Sequence, residues 1–131
     1  MNIAVDTNVL IRLLTTDDII QQQQAVALLD GADGVVVPTI IFCETVWVLR
    51  RLYRQSNQEI AAKLEGFLQH PKLLYKTDEV EAGFALMRQG GDFADGVNEY
   101  AGRQMGAEVF ATFDKKAAKL LKAQGKVVRI P

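Results

Sequence analysis

The chain has 131 residues, 49% of them hydrophobic and 24% charged, with 15 basic against 16 acidic side chains and a net charge of −1. That balance excludes a disordered polyelectrolyte and a strongly basic nucleic-acid binder, so any contact with nucleic acid must come from local patches. No apolar run reaches the roughly 18–20 residues that span a bilayer. The length fits one domain over residues 1–131. Cys43 is the only cysteine, so an internal disulfide is impossible. The start "MNIAVDTNVL" has no basic n-region or small-residue cleavage site, and a reducing cytoplasmic setting without a membrane partner is expected.

Taken in chain order, "NIAV" reads as a strand that ends at Asp6, and "DTNVL" has the form of a capped helix start. Asp17–Leu29 has helical spacing, and its "QQQQ" run reads as a solvated face. "GVVVP" at Gly34–Pro38 is a second strand, and Thr39–Tyr53 a helix that carries Glu44 among apolar neighbours. Gln58–Gln69 is a further helix, with His70 read as its C-terminal cap ahead of Pro71. "KLLYK" at Lys72–Lys76, "EVFAT" at Glu108–Thr112 and "KVVRI" at Lys126–Ile130 are three more strands. Helical spacing returns at Glu79–Arg88 and Lys115–Ala123. Between these, "GGDFADGVNEYAG" stacks Asp92, Asp95 and Glu99 on one helical face.

Strands alternating with helices predict a parallel sheet covered on both faces, with ligands gathering beyond the carboxyl ends of the strands. Asp6 and Asp114 both belong at that edge, where each could also simply cap the helix that follows. Glu44 is harder to explain. An ionised carboxylate in an apolar helix needs a partner, either a salt bridge to Arg51 or a cation. Asp6, Glu44, Asp95 and Asp114 together would make an all-oxygen donor set. Such a set suits Mg²⁺ or Mn²⁺ rather than zinc, and Mg²⁺ sites of this kind favour phosphate chemistry.

These pieces, in this order, resemble the PIN domain, and more narrowly a VapC-type toxin ribonuclease of a toxin–antitoxin pair. The matching stretches are "AVDTNVLIRLL", "PTIIFCETVWVLRR", "DFADGVNEYAG" and "VFATFDKKAAKL". The resemblance implies a three-layer α/β/α sandwich with a central parallel sheet of about five strands. It implies Asp6, Glu44, Asp95 and Asp114 as the catalytic and metal-binding acids, with Asn8 and Thr112 in support. Asp92 would be a supporting or second-metal acid, or a plain N-cap; Glu99 an outer acid or part of a solvated face. Glycine at Gly96, where relatives commonly carry another residue, reads as added local flexibility. The implied activity is Mg²⁺- or Mn²⁺-dependent hydrolysis of a phosphodiester in structured RNA, with tRNA anticodon loops a recurrent target among relatives. The implied partners are RNA, a VapB-type antitoxin and a second copy in a homodimer.

Candidate RNA contacts are Arg12, Arg50, Arg51, Arg54, Lys115 and Lys116, with Tyr53 able to stack on an unpaired base. Lys119 and Lys122 read as a solvated helix face. His70 and Cys43 lack the partners that a catalytic base or nucleophile requires. Two other classes share some of these features. One is Mg²⁺-dependent phosphotransfer of the receiver or phosphatase kind, although Asn8 stands where the phosphatase pattern wants an Asp. The other is a non-catalytic metal-binding interaction module.

Overall fold

A computed structural model describes all residues, Met1–Pro131. The chain divides into two compact units, Met1–Lys76 and Thr77–Pro131. The first holds strands β1 (Asn2–Ala4), β2 (Gly34–Val36) and β3 (Leu73–Leu74) with helices α1 (Thr7–Leu14), α2 (Ile19–Gly31), α3 (Thr39–Arg51) and α4 (Asn57–Phe67). The second holds α5 (Thr77–Arg88), α6 (Phe93–Gln104), β4 (Phe110–Ala111), α7 (Lys115–Ala123) and β5 (Val128–Arg129). No helix is long and apolar enough to cross a membrane.

All five expected strands form, and every pairing is parallel. In the first unit the order is β1-β2-β3, with Ile3 opposite Val35 and Val35 opposite Leu73. In the second β4 pairs with β5, Phe110 opposite Val128. The strands are only two or three residues long, and their hydrogen bonds join them as a set of three and a pair. Parallel pairing requires a crossover between partners, and the helices between the strands supply it.

The first unit buries Leu10, Val35, Val37, Phe42, Val46, Leu49, Ile60 and Leu64 as its core. Phe42 anchors it edge-on to Tyr75 at 5.8 Å between ring centroids. The second unit buries Val80, Phe84, Leu86, Met87, Phe93, Val97 and Leu121. There Phe84 meets Phe93 edge-to-face at 5.5 Å, a preferred aromatic geometry.

Helices α5 and α6 pack with their backbones unusually close. A Cβ on Gly96 would lie 2.4 Å from the Ala82 carbonyl oxygen, and one on Gly83 would lie 2.5 Å from the Phe93 ring. Gly96 is therefore required by packing, which corrects its reading as a source of flexibility. The close approach holds the first turn of α6, with Asp95, firmly against α5.

Candidate active site

In the first unit the β1–β2 ladder continues one residue beyond β1, as the Val5 N–H donates to the Val36 carbonyl at 3.1 Å. Asp6 follows at once and caps α1, its Oδ1 accepting from the Val9 N–H at 3.0 Å. The carboxylate is exposed, and its second oxygen has no hydrogen bond. The hydroxyl of Thr7, first residue of α1, donates to Oε2 of Glu44. Thus an acid at the end of β1 and an acid on α3 are tied together by the residue next to the first.

Glu44 is exposed rather than embedded in the core, which corrects the expectation from its apolar neighbours. The reason is helical phase. Helix α3 buries Phe42, Thr45, Val46 and Leu49, so Ile40, Glu44, Trp47 and Arg51, spaced at one-turn intervals, share the outer face. Ile40 is 63% exposed and Trp47 55%. Arg51 makes no salt bridge to Glu44; its guanidinium lies 5.8 Å from the centre of the Trp47 ring, a cation–π distance.

The candidate RNA-binding side chains of this unit differ in availability. Arg12 is engaged internally, donating to Gln21 Oε1 at 2.7 Å and to Asp17 Oδ1 at 3.1 Å. Tyr53 donates its hydroxyl to Asp17 Oδ2 at 2.8 Å. The Tyr53 hydrogen bond outweighs the opposing effect of burial and, with the Thr15 hydroxyl and the Arg12 charge, holds the Asp17 carboxyl below its ordinary pKa. Arg50 donates to Asn57 Oδ1. Arg51 and Arg54 are exposed, Arg54 in a left-handed turn with φ of +55°. Asn8 is exposed on α1 and, with Asp6, Arg12, Gln21 and Gln24, borders a shallow cavity of about 400 Å³. His70 caps no helix with its ring: Nδ1 accepts from the Lys72 N–H at 3.2 Å in the turn after α4.

In the second unit, Asp92 stands at the N-cap of α6 but its side chain makes no capping hydrogen bond. Asp95 lies in the first turn of α6 and is half-buried. Asp114 follows β4 after Thr112 and Phe113 and caps α7, its Oδ1 accepting from the Ala117 N–H at 3.0 Å. Its own N–H donates to Thr112 Oγ1 at 3.0 Å, so Thr112 shapes the turn that presents the acid. Lys115 and Lys116 are exposed immediately after it.

Asp95 is the acid whose surroundings oppose its charge. Burial pushes its carboxyl pKa up, and the negative charges of Asp92 and Asp114 push it further in the same direction. Glu99, one turn beyond Asp95, is buried and paired with Arg103 at 3.1 Å, which rules out a solvated face for it. The three acids of "GGDFADGVNEYAG" therefore separate in role: Asp92 and Asp95 share a field with Asp114, and Glu99 has its own cation.

In neither unit do three or more acid, His or Cys side chains converge as a ready metal cage. This fits a hard divalent ion such as Mg²⁺, which takes one or two protein carboxylates and keeps waters or phosphate oxygens in its other positions. The donors are all carboxylate oxygens, and burial together with Asp92 and Asp114 opposes the charge of Asp95, which a cation would stabilise, so the residues fit such an ion.

Parallel strands between helices, with acids at the strand ends, define an α/β fold of the kind that gathers ligands at that edge. The PIN-domain family model matches residues 3–122, a span that runs through both units and includes every acid described above. The chain belongs to the PIN-domain family. No curated protein matches it. PIN domains are in general metal-dependent nucleases, hydrolases that use divalent ions such as Mg²⁺ or Mn²⁺.

One residue that matters here, Thr7, was not a candidate from sequence. A threonine beside a capping Asp is unremarkable in one dimension, and only the folded chain reveals that its hydroxyl reaches a residue 37 positions away.

Proposed function

We propose that this chain is a Mg²⁺- or Mn²⁺-dependent endoribonuclease and acts as the toxin of a toxin–antitoxin pair, cutting structured RNA, tRNA among the targets, to inhibit translation. The observation that carries the reading is the half-buried Asp95, whose charge is opposed by burial and by the neighbouring Asp92 and Asp114, set in a chain of the PIN-domain family. Asp6 and Glu44 of the first unit, and Asp95 and Asp114 of the second, are the acids this activity requires. When bound, the ion supplies charge neutralisation at the phosphate and a water of lowered pKa.

The chain's own residues do the rest. Asp95 and Asp114 offer carboxylate oxygens, and Thr112 holds the turn that aims Asp114. Asn8 and Asp92 are supporting polar groups beside the acids. The exposed Lys115, Lys116, Arg51 and Arg54 attract the RNA backbone, which a net charge of −1 alone would not do. Arg12 and Arg50 contribute only if RNA displaces their present partners.

A cognate VapB-type antitoxin and a second copy of the chain are the proposed partners. The apolar side chains exposed on α3, Ile40 and Trp47, support a protein-binding role for that helix. Incubating the purified chain with total cellular RNA and Mg²⁺, then mapping the new ends, tests the reading. Discrete cuts in loops of structured RNA, absent with EDTA, are expected; intact RNA at every divalent-ion concentration would contradict it.

A further inference from the structure

Thr7 has no task in the helix it begins. Asp6 already caps α1 through the Val9 N–H, and a threonine at the first helical position brings neither a cap nor favourable propensity. The one hydrogen bond of its hydroxyl goes to Oε2 of Glu44, on a different helix. Glu44 is exposed on the outer face of α3, and a glutamate so placed has wide rotamer freedom unless something fixes it.

The chemistry of the tether matters as much as its presence. A salt bridge would fix Glu44 equally well but would neutralise the charge a divalent ion needs. The basic residue on the same face, Arg51, lies over Trp47 instead. A neutral hydroxyl holds one carboxylate oxygen and leaves the charge, and the other oxygen, for a cation. Outer partners of metal-binding carboxylates work in this way.

We infer that Thr7 is a positioning residue, whose hydroxyl orients the Glu44 carboxylate beside Asp6 for binding a divalent cation. The inference rests on the proposed assignment of Glu44 to the metal-binding acids. It concerns how the chain holds an ion before any RNA arrives.

Mn²⁺ binding to the full chain without RNA, followed by calorimetry or electron paramagnetic resonance, tests it alongside thermal melting. Thr7→Val removes the hydroxyl and keeps the shape. It is expected to bind Mn²⁺ about tenfold more weakly or worse, the usual cost of losing such an outer partner, with an unchanged melting temperature. Thr7→Ser restores the hydroxyl and is expected to bind as the unaltered chain does. Thr7→Ala is read in the same way as Thr7→Val if the valine variant folds poorly. If Glu44→Gln weakens Mn²⁺ binding and both hydroxyl-free variants do not, the inference about Thr7 fails and the assignment of Glu44 stands. If Glu44→Gln itself binds Mn²⁺ normally, both fail. A melting temperature that falls in step with Mn²⁺ binding, without rescue by serine, makes Thr7 a merely structural tether and overturns the inference.

Discussion

Asp95 is half-buried in the first turn of α6, and burial, then Asp92, then Asp114 raise its pKa above the ordinary value for aspartate. The consequence for stability has a definite sign. The folded chain binds this proton more tightly than the unfolded chain does. The contribution is therefore complete below the unfolded pKa and is lost as pH rises through the higher folded one. Once Asp95 ionises, the metal-free protein holds an unfavourable charge at this position. Asp95→Asn should accordingly melt at a higher temperature than the unaltered chain at pH 7 without metal, with the gap closing on acidification through that window. A variant that melts lower at pH 7 would show that the Asp95 charge is compensated. The neighbours can be tested separately: Asp92→Asn and Asp114→Asn should each lower the Asp95 pKa, read from its side-chain carboxyl carbon by NMR. In both variants it should stay above the ordinary value, because burial is the larger cause and remains. Asparagine caps a helix about as well as aspartate, so neither change should unravel α6 or α7. At this scale the acids were legible in the sequence as residue types at strand ends and helix starts. Their surroundings were not. Glu44 looked buried because its neighbours are apolar, yet which neighbours face inward depends on helical phase. Asp92 reads from sequence as either a supporting acid or a plain N-cap, and its side chain makes no capping bond.

Helix boundaries were largely written in local chemistry. Ser56 and Glu59 form a reciprocal capping box at the start of α4, and Asp6, Asp18 and Asp114 cap α1, α2 and α7 with their side chains. Strands read from β-branched runs formed where expected but much shorter, since only two or three residues of each run find a partner. What local chemistry cannot convey is the distance between elements. Gly96 illustrates this: its missing side chain admits the Ala82 carbonyl, a residue on another helix. Gly96→Ala gains intrinsic helix propensity of about 1 kcal/mol, but it forces atoms from 2.4 Å apart or pushes α6 off α5. Overpacking of this kind typically costs about 1–3 kcal/mol. Urea unfolding should show a net loss of stability, and Mn²⁺-dependent cleavage should fall because Asp95 is the adjacent residue. A variant more stable than the unaltered chain would mean the two helices have room to separate.

Across the whole molecule, one family match covers residues 3–122, although the chain forms two compact units. The ordered set of acids was recognisable from sequence because each sits in a short local motif, and order along the chain survives whatever the folded distances are. Net charge carried no comparable signal. A value of −1 conceals an acid field around Asp95 and exposed cations at Lys115 and Lys116, and only local placement separates the two. The central claim is that cleavage depends on a divalent ion and on Asp95. Single-turnover cutting of one structured RNA, by the unaltered chain and by Asp95→Asn at saturating Mn²⁺, tests it most directly. The unaltered chain should cut, stop on addition of EDTA and resume when Mn²⁺ is restored. Asp95→Asn should be slower by roughly a hundredfold or more, in line with losing a group that acts on the reacting charge. Cutting by Asp95→Asn at the unaltered rate, or cutting that persists through chelation, would contradict the account.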